Sequence, residues 1–170
     1  MKHPRCPSCG TPFVRVAYDE GTFERLLTRF KFFPFRCQLC TYRFHSFSSE
    51  SSAPTSASER RQYERLPVSF RANFYAEDSV RIDNRVTDIS MGGCTLETTA
   101  TLPRGTFLEL FIKPASDDEA IRIETAMVCS LRSDSMGIRF LEVLAHDKHR
   151  LSQVVLSLLV GQSANPQLFA

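Results

Sequence analysis

The chain has 170 residues, 42% of them hydrophobic and 14 of them phenylalanine, which is enough to form the core of one domain or of two small ones. A net charge of +2 does not by itself indicate a protein that binds nucleic acid. No apolar run approaches the roughly 20 residues that span a bilayer, and the first ten residues lack the apolar segment of a signal peptide. We therefore expect a cytoplasmic protein without a membrane partner.

Four of the six cysteines form two C-x-x-C pairs, Cys6 with Cys9 and Cys37 with Cys40. In a reducing cytosol such pairs are more typical of metal ligands than of disulfides. Two pairs supply the four thiolates of a tetrahedral zinc site, and a site with four protein ligands has no open position for catalysis. The sequence therefore predicts a structural Zn2+ held by these four cysteines.

Residues 1–47, called the head below, resemble a zinc ribbon, in which two metal-binding turns (knuckles) share one ion. The resemblance is carried by the four cysteines, by Gly10 after the first pair and by Tyr42-Arg43-Phe44 after the second. It implies a small zinc-ribbon-like four-cysteine domain. Residues 1–50 also carry 8 Lys and Arg against 4 Asp and Glu, so this part of the chain is modestly basic.

Between the cysteine pairs, the segment from Gly21 to Pro34 predicts a short amphipathic helix, because apolar residues recur at i, i+3, i+4 and i+7. Thr22 is the predicted N-cap and Pro34 the predicted stop. A domain this small needs the apolar stripe for its core; the stripe consists of Phe23, Leu26, Leu27 and Phe30. The basic residues beside it indicate a solvated face, a protein-docking surface or a nucleic-acid surface; they are Arg25, Arg29 and Lys31.

A linker rich in Ser, Ala, Pro and Thr follows the head at residues 48–59. Such a segment buries too little apolar area to offset the entropy of ordering it. We therefore expect a flexible tether that separates the head from a second domain at residues 60–162, called the body below. Residues 163–170 are expected to form a C-terminal tail.

Apolar residues in the body alternate with polar ones from Val68 to Ala76, the period of a half-buried strand. Five more short strands separated by turn residues follow, and a helix from His146 to Val160 ends the pattern. Six strands at this spacing predict a small antiparallel β-barrel or sandwich. The fold class expected for the whole chain is therefore mainly β, with a C-terminal helix after the last strand.

Two polar motifs stand at the start of the body and after its second strand. The first is Arg61-x-x-x-Arg65, and the second is Asp88-x-Ser90-x-x-Gly93. Taken singly, each is explained by solvated charges or by a turn. No nucleophile–base pair, phosphate-binding Gly-rich loop or paired carboxylates accompany them, so the sequence does not indicate an enzyme.

Both motifs, their order, the strand pattern and the final helix resemble a PilZ domain, a bacterial receptor for the second messenger cyclic di-GMP. The resemblance covers about residues 60–160 and implies a six-stranded antiparallel barrel. It implies that Arg61 and Arg65 clasp guanine and phosphate, that Asp88 and Ser90 supply an acceptor and a hydroxyl, and that Gly93 permits close approach. To these we add two neighbours, Arg60 as a further phosphate contact and Gly92 as a second small residue.

The sequence thus predicts a non-catalytic cyclic-di-GMP effector, in which ligand binding changes the position or partner access of a zinc-ribbon-like head. A protein partner that binds the head is expected. One alternative is a nucleic-acid-binding regulator that reads its target with the basic head. Another is a protein–protein scaffold whose PilZ-like body keeps the fold without binding the nucleotide.

Overall fold

A computed structural model describes residues 4–18, 21–48, 62–76, 79–100, 102–114 and 119–164. The chain divides into two compact units, Met1–Glu64 and Arg65–Ala170. Arg60, Arg61 and nearly all of the predicted linker lie outside the described residues, as does most of the predicted tail. The first described residues after the linker, Gln62 to Glu64, belong to the first unit, although the sequence predicts that the body starts at residue 60.

The first unit contains a three-stranded antiparallel sheet and one helix, α1, at Thr22–Arg29. Its strands run in the order β1-β2-β3, with β1 at Val14–Val16, β2 at Phe32–Cys37 and β3 at Arg43–Phe47. The second cysteine pair therefore lies at the end of β2 and in the turn that leads to β3, and the first pair precedes β1. Glu24 links α1 to the sheet, because its carboxylate accepts hydrogen bonds from Arg43 at 2.6 Å and His45 at 3.1 Å.

Several details of the head differ from the sequence prediction. The N-cap is Gly21, not Thr22, and no side chain caps the helix. The helix ends at Arg29 because Lys31 takes a left-handed conformation, with φ of 63°. Pro34 is not the stop; it lies within β2, where its carbonyl accepts a 2.7 Å bond from the Ala17 N–H. Its nitrogen therefore faces the end of β1, where the missing N–H is tolerated.

The predicted core of the head is also partly wrong. Leu26 is 54% exposed and Phe30 is 66% exposed, so the stripe of α1 does not form that core throughout. The buried aromatic residues come from β2 instead, namely Phe33 and Phe35. Periodicity identifies an apolar face but not whether another element covers it, and a helix of eight residues packs only part of its stripe.

The second unit is a closed antiparallel barrel of six strands in the order β4-β5-β6-β9-β8-β7, which confirms the predicted fold. The strands are β4 at Leu66–Ala76, β5 at Ser79–Ser90, β6 at Gly93–Glu97, β7 at Phe107–Lys113, β8 at Ile121–Leu131 and β9 at Ser135–Glu142. Inward side chains of all six strands fill the interior; the largest fully buried ones include Phe74, Leu66, Ile89, Leu96, Leu110, Ile112, Ile123, Met136 and Ile138. Closure leaves the barrel without an open sheet edge.

Strand β5 contains a β-bulge near the polar pair Asp83-Asn84. Ala72 pairs with Asn84 and Phe74 pairs with Arg81, so Asn73 faces two residues of β5 instead of one. One of these two, Asp83, has φ of 60°, a conformation that Asp adopts more readily than most residues. The strand therefore continues past the polar pair instead of ending there.

Helix α2 spans Ala145–Ala164 and packs against β8 and β4. One face carries Leu151, Val155 and Leu159, all buried, at the i, i+4, i+8 spacing of an amphipathic helix. Polar contacts near its start fix the helix to β8, since Asp147 accepts a 3.1 Å bond from the Arg122 N–H. Neither of the two described helices is both long and apolar enough to cross a membrane.

Candidate functional site

Arg65, at the entry to β4, contacts two neighbouring strands. Its Nη1 donates to Asp88 Oδ1 at 3.1 Å and to Thr95 Oγ1 at 2.7 Å. Asp88 lies on β5 and Thr95 on β6, and these two residues are register partners. Because β4, β5 and β6 are adjacent in the barrel, the second arginine of one motif meets the first residue of the other.

This ion pair is partly open to solvent. The Arg65 side chain is 31% exposed and that of Asp88 is 26% exposed, so solvent screening limits its contribution to stability. Both described contacts use Nη1, whereas a guanidinium carries five N–H donors in a planar fork. Asp88 and Thr95 therefore orient the fork through one nitrogen. A guanidinium held in this way can offer its remaining N–H groups to a phosphate or to a guanine edge.

Ser90 is buried at the end of β5, next to the turn that leads into β6. Its hydroxyl donates to the Gly93 carbonyl at 3.1 Å and accepts from the Gly92 N–H at 3.3 Å. In this arrangement the hydroxyl closes the turn, a common use of serine next to glycine. Its predicted contact with a ligand stays a prediction.

The two glycines of this turn have different surroundings. A Cβ on Gly93 would overlap the Ile138 carbonyl oxygen and lie 3.2 Å from the carbonyl carbon. Gly93 is therefore needed for the close approach of β6 to β9. The Gly92 carbonyl accepts a 3.1 Å bond from the Phe140 N–H. Their predicted role in ligand approach stays a prediction.

Sequence reasoning missed Thr95 as a member of this cluster. Its neighbours Cys94 and Leu96 are buried, so the alternation of β6 predicts only that Thr95 faces the other side of the strand. Its contact with Arg65 depends on the pairing of β6 with β5 and of β5 with β4. That register is set by the fold and carries no local signal in the sequence.

The four cysteines predicted as metal ligands lie together, with all four sulfur atoms within 4.8 Å of one another. Cys6 Sγ is 3.5 Å from Cys40 Sγ, and Cys9 Sγ is 3.6 Å from Cys37 Sγ. Zn–S bonds of about 2.3 Å in a tetrahedron place sulfurs about 3.8 Å apart, whereas a disulfide needs about 2.05 Å. The arrangement fits one tetrahedral cation and not two disulfides.

The two knuckles share a backbone conformation. The Cys6 N–H donates to the Thr11 carbonyl and the Cys37 N–H to the Tyr42 carbonyl, each at 2.9 Å. The residue after each pair is left-handed, with φ of 72° at Gly10 and 66° at Thr41. This repeated turn brings both sulfurs of a pair to one side, as a shared ion requires.

Backbone amides also point at the sulfurs. The N–H groups of Leu39 and Cys40 approach Cys37 Sγ at 3.4 and 3.5 Å, a geometry that stabilises a thiolate. Burial raises the pKa of the Cys9 and Cys37 thiols. At Cys40 burial acts in the same direction, but a backbone hydrogen bond from Tyr42 and the neighbouring thiols lower the pKa to about 7. The donor set is therefore suited to a thiophilic divalent cation such as zinc.

The PilZ domain family model matches residues 59–157, more than half of the chain. No curated protein sequence is similar enough to count as a match. Among solved structures, the chain is similar to the Bacillus subtilis inhibitor of motility MotI/DgrA, with a TM-score of 0.53 and 18% identity over 77% of this chain and 67% of that one. It is also similar to the PilZ domain of Escherichia coli YcgR with c-di-GMP, at a TM-score of 0.49 and 17% identity over 64% of this chain and 98% of that one.

Proposed function

This chain belongs to the PilZ domain family, and we propose that it is a non-catalytic cyclic-di-GMP receptor that transmits ligand binding to its four-cysteine head. PilZ domains are generally non-catalytic binding domains and form a family of cyclic-di-GMP receptors. The observation that supports the proposal most is the contact of Arg65 with Asp88. Through it, the arginine motif and the turn motif meet at one place on the barrel.

The chemistry of the nucleotide matches the proposed residues. Cyclic di-GMP offers two anionic phosphates and two guanines, and an arginine fork binds phosphate oxygens or the O6 and N7 of guanine with two parallel hydrogen bonds. We propose that Arg61 and Arg65 bind the nucleotide and that Asp88 and Thr95 hold Arg65 in position. Ser90, Gly92 and Gly93 shape the adjacent turn, and Arg60 adds positive charge.

Replacing both motif arginines by alanine is expected to lower cyclic-di-GMP affinity roughly 100-fold or more. A hydrogen bond to a charged group contributes about 1.5–3 kcal/mol, and each 1.4 kcal/mol is about a factor of ten in affinity. Isothermal titration of the wild type and of Arg61→Ala/Arg65→Ala with cyclic di-GMP measures the difference. Failure of the wild type to bind would refute the proposed function.

A matched control removes the same charge elsewhere on the barrel. Arg104 and Arg132 are exposed, and Arg104→Ala/Arg132→Ala should bind the nucleotide as the wild type does.

Thr95→Val tests the positioning of Arg65 with a smaller change, because valine keeps the side-chain shape and removes one hydrogen-bond acceptor of Arg65. We expect about a five-fold weakening from it, near the net contribution of one hydrogen bond.

The coupling to the head is proposed from the position of the arginines in the chain. They flank Gln62 to Glu64, the last residues of the first unit, so a nucleotide held by both arginines acts on the segment that joins the two units. Ligand binding would then shift the population of head–body arrangements or the access of a partner to the head. Energy transfer between one dye on the head and one on the body should change on saturation with cyclic di-GMP. Unchanged transfer would contradict the coupling and leave binding intact.

A protein partner for the head is proposed from its exposed side chains. Phe30 and Phe47 are 66% and 59% exposed, and Arg25, Arg29 and Lys31 are exposed as well. Exposed aromatic residues mixed with basic ones are typical of contact surfaces. The proposed metal would act here only as a structural ion, by fixing the two knuckles.

A further inference from the structure

The side chain of Gln38 lies inside the second knuckle and holds the segment between the two motif arginines. Gln38 follows the first cysteine of Cys37-Gln38-Leu39-Cys40 and is only 3% exposed. Its Oε1 accepts the Glu64 N–H at 2.7 Å, and its Nε2 donates to the Gln62 carbonyl at 3.1 Å. The side-chain amide of Gln38 thus pairs with the N–H of Glu64 and with the carbonyl of Gln62. The backbone of a neighbouring β-strand would make the same two kinds of hydrogen bond.

The head holds this segment at further points. Arg36 Nη1 lies 3.3 Å from the Tyr63 hydroxyl, and its guanidinium carbon lies 5.7 Å from the centre of the Tyr63 ring. Arg15 forms a longer ion pair with Glu64 at 3.9 Å. Each of the three residues between Arg61 and Arg65 is therefore bound by a residue of the head. They are the x-x-x of the arginine motif.

The position of the Gln38 amide depends on the knuckle that carries it. Its Nε2 also donates to the Arg36 carbonyl at 3.2 Å, and its backbone N–H donates to the Phe13 carbonyl at 2.9 Å. The flanking Cys37 and Cys40 belong to the four-sulfur cluster. In small metal-binding domains, loss of the ion releases the turns that carry the ligands. Loss of the ion would therefore release the amide and, with it, the backbone of Gln62 to Glu64.

We propose that Gln38 is a positioning residue through which an occupied four-cysteine site presets the backbone of Gln62 to Glu64, the residues between the two motif arginines, for nucleotide binding. The inference rests on the proposed function and adds its regulation: zinc and cyclic di-GMP bind cooperatively. A segment already held in place loses less conformational entropy when the nucleotide binds. By thermodynamic linkage, the nucleotide strengthens zinc binding by the same factor.

Gln38→Met tests this with little change in side-chain length or volume, because methionine is similarly long and removes all three hydrogen bonds of the side-chain amide. The zinc-loaded variant should retain one zinc per chain and bind cyclic di-GMP about five- to ten-fold more weakly than the zinc-loaded wild type, as measured by isothermal titration. Gln153→Met on the exposed side of α2 is the matched control, and its affinity should equal that of the wild type.

Two further measurements separate positioning from a general structural effect. Chelator-treated wild type should bind cyclic di-GMP more weakly than the zinc-loaded form, and Gln38→Met should not weaken the chelated protein further. Saturating cyclic di-GMP should also reduce zinc transfer from the wild type to 4-(2-pyridylazo)resorcinol, but not from Gln38→Met.

The outcomes distinguish the coupling from the proposed function beneath it. Equal nucleotide affinities for zinc-loaded wild type and Gln38→Met would overturn the role of Gln38 while leaving the receptor function in place. Equal affinities for zinc-loaded and chelated wild type would overturn the cooperativity itself. Absence of cyclic-di-GMP binding by zinc-loaded wild type would overturn both the proposed function and the coupling.

Discussion

Cys37→Ser is expected to reduce bound zinc from one equivalent per chain to nearly none and to unfold the head while the barrel stays folded. Zinc binding contributes about 10–16 kcal/mol to the folding of small zinc domains. The described core of the head is small, with Phe33 and Phe35 as its buried aromatic residues, so it has little hydrophobic stabilisation to replace the ion. Atomic emission spectroscopy quantifies the bound zinc. Limited proteolysis of the variant under native conditions locates the part of the chain that is unfolded.

Cys129→Ser is the matched control for that experiment. Cys129 lies on β8, outside the four-sulfur cluster, so this variant should keep its zinc and resist proteolysis as the wild type does. A Cys37→Ser protein that retained a full equivalent of zinc would contradict the assignment of Cys37 as a ligand. Wild-type protein purified without any bound transition metal, and unable to take up zinc, would contradict the site as a whole.

Gly93→Ala is expected to destabilise the barrel by about 3 kcal/mol, because the added methyl group meets backbone and not a movable side chain. The methyl carbon would overlap the Ile138 carbonyl oxygen, and Gly93 pairs with Arg139 in the ladder between β6 and β9. Relief of the overlap would require those strands to separate. For a unit of this size, the loss corresponds to a fall of roughly 15 °C in Tm, measurable by circular dichroism.

Gly161→Ala provides a control of opposite sign. Gly161 lies in α2, and apart from its chain neighbours and the backbone of its own helix a Cβ there would meet no atom within 4 Å. Alanine is favoured over glycine in a helix by roughly 0.5–1 kcal/mol, so Tm should rise by a few degrees. Equal melting temperatures for Gly93→Ala and the wild type would show that β6 and β9 accommodate the methyl group, and that Gly93 is not required for their packing.

Three features of this protein were predictable because their signals are local. The barrel strands follow from side chains that alternate between two faces, as along β4, and the final helix follows from the spacing of Leu151, Val155 and Leu159. The pairing of cysteines with two residues between them likewise identifies two knuckles before any fold is known. In each case neighbouring residues interact along the chain, so composition and spacing carry the information.

The head shows where local signals fail. The apolar stripe of α1 was predicted correctly as helical and incorrectly as wholly buried, since Phe30 is 66% exposed. Pro34 was predicted to stop a helix and instead lies in a strand, where its missing N–H falls at the end of the β1 pairing. Burial and strand pairing depend on partners elsewhere in the chain, which a propensity cannot identify.

The sequence alone determined the chemical inventory of this protein: four cysteines in two C-x-x-C pairs, an arginine motif, an acidic turn motif and the strands that separate them. Only the tertiary structure decided which of these groups meet. Arg65 reaches Thr95 because three strands pair in one register, and Gln38 reaches the backbone of Gln62 and Glu64 across 24 and 26 positions of sequence. Such contacts form between residues far apart in the chain, and they are selected by the packing of the whole unit and not by local preference.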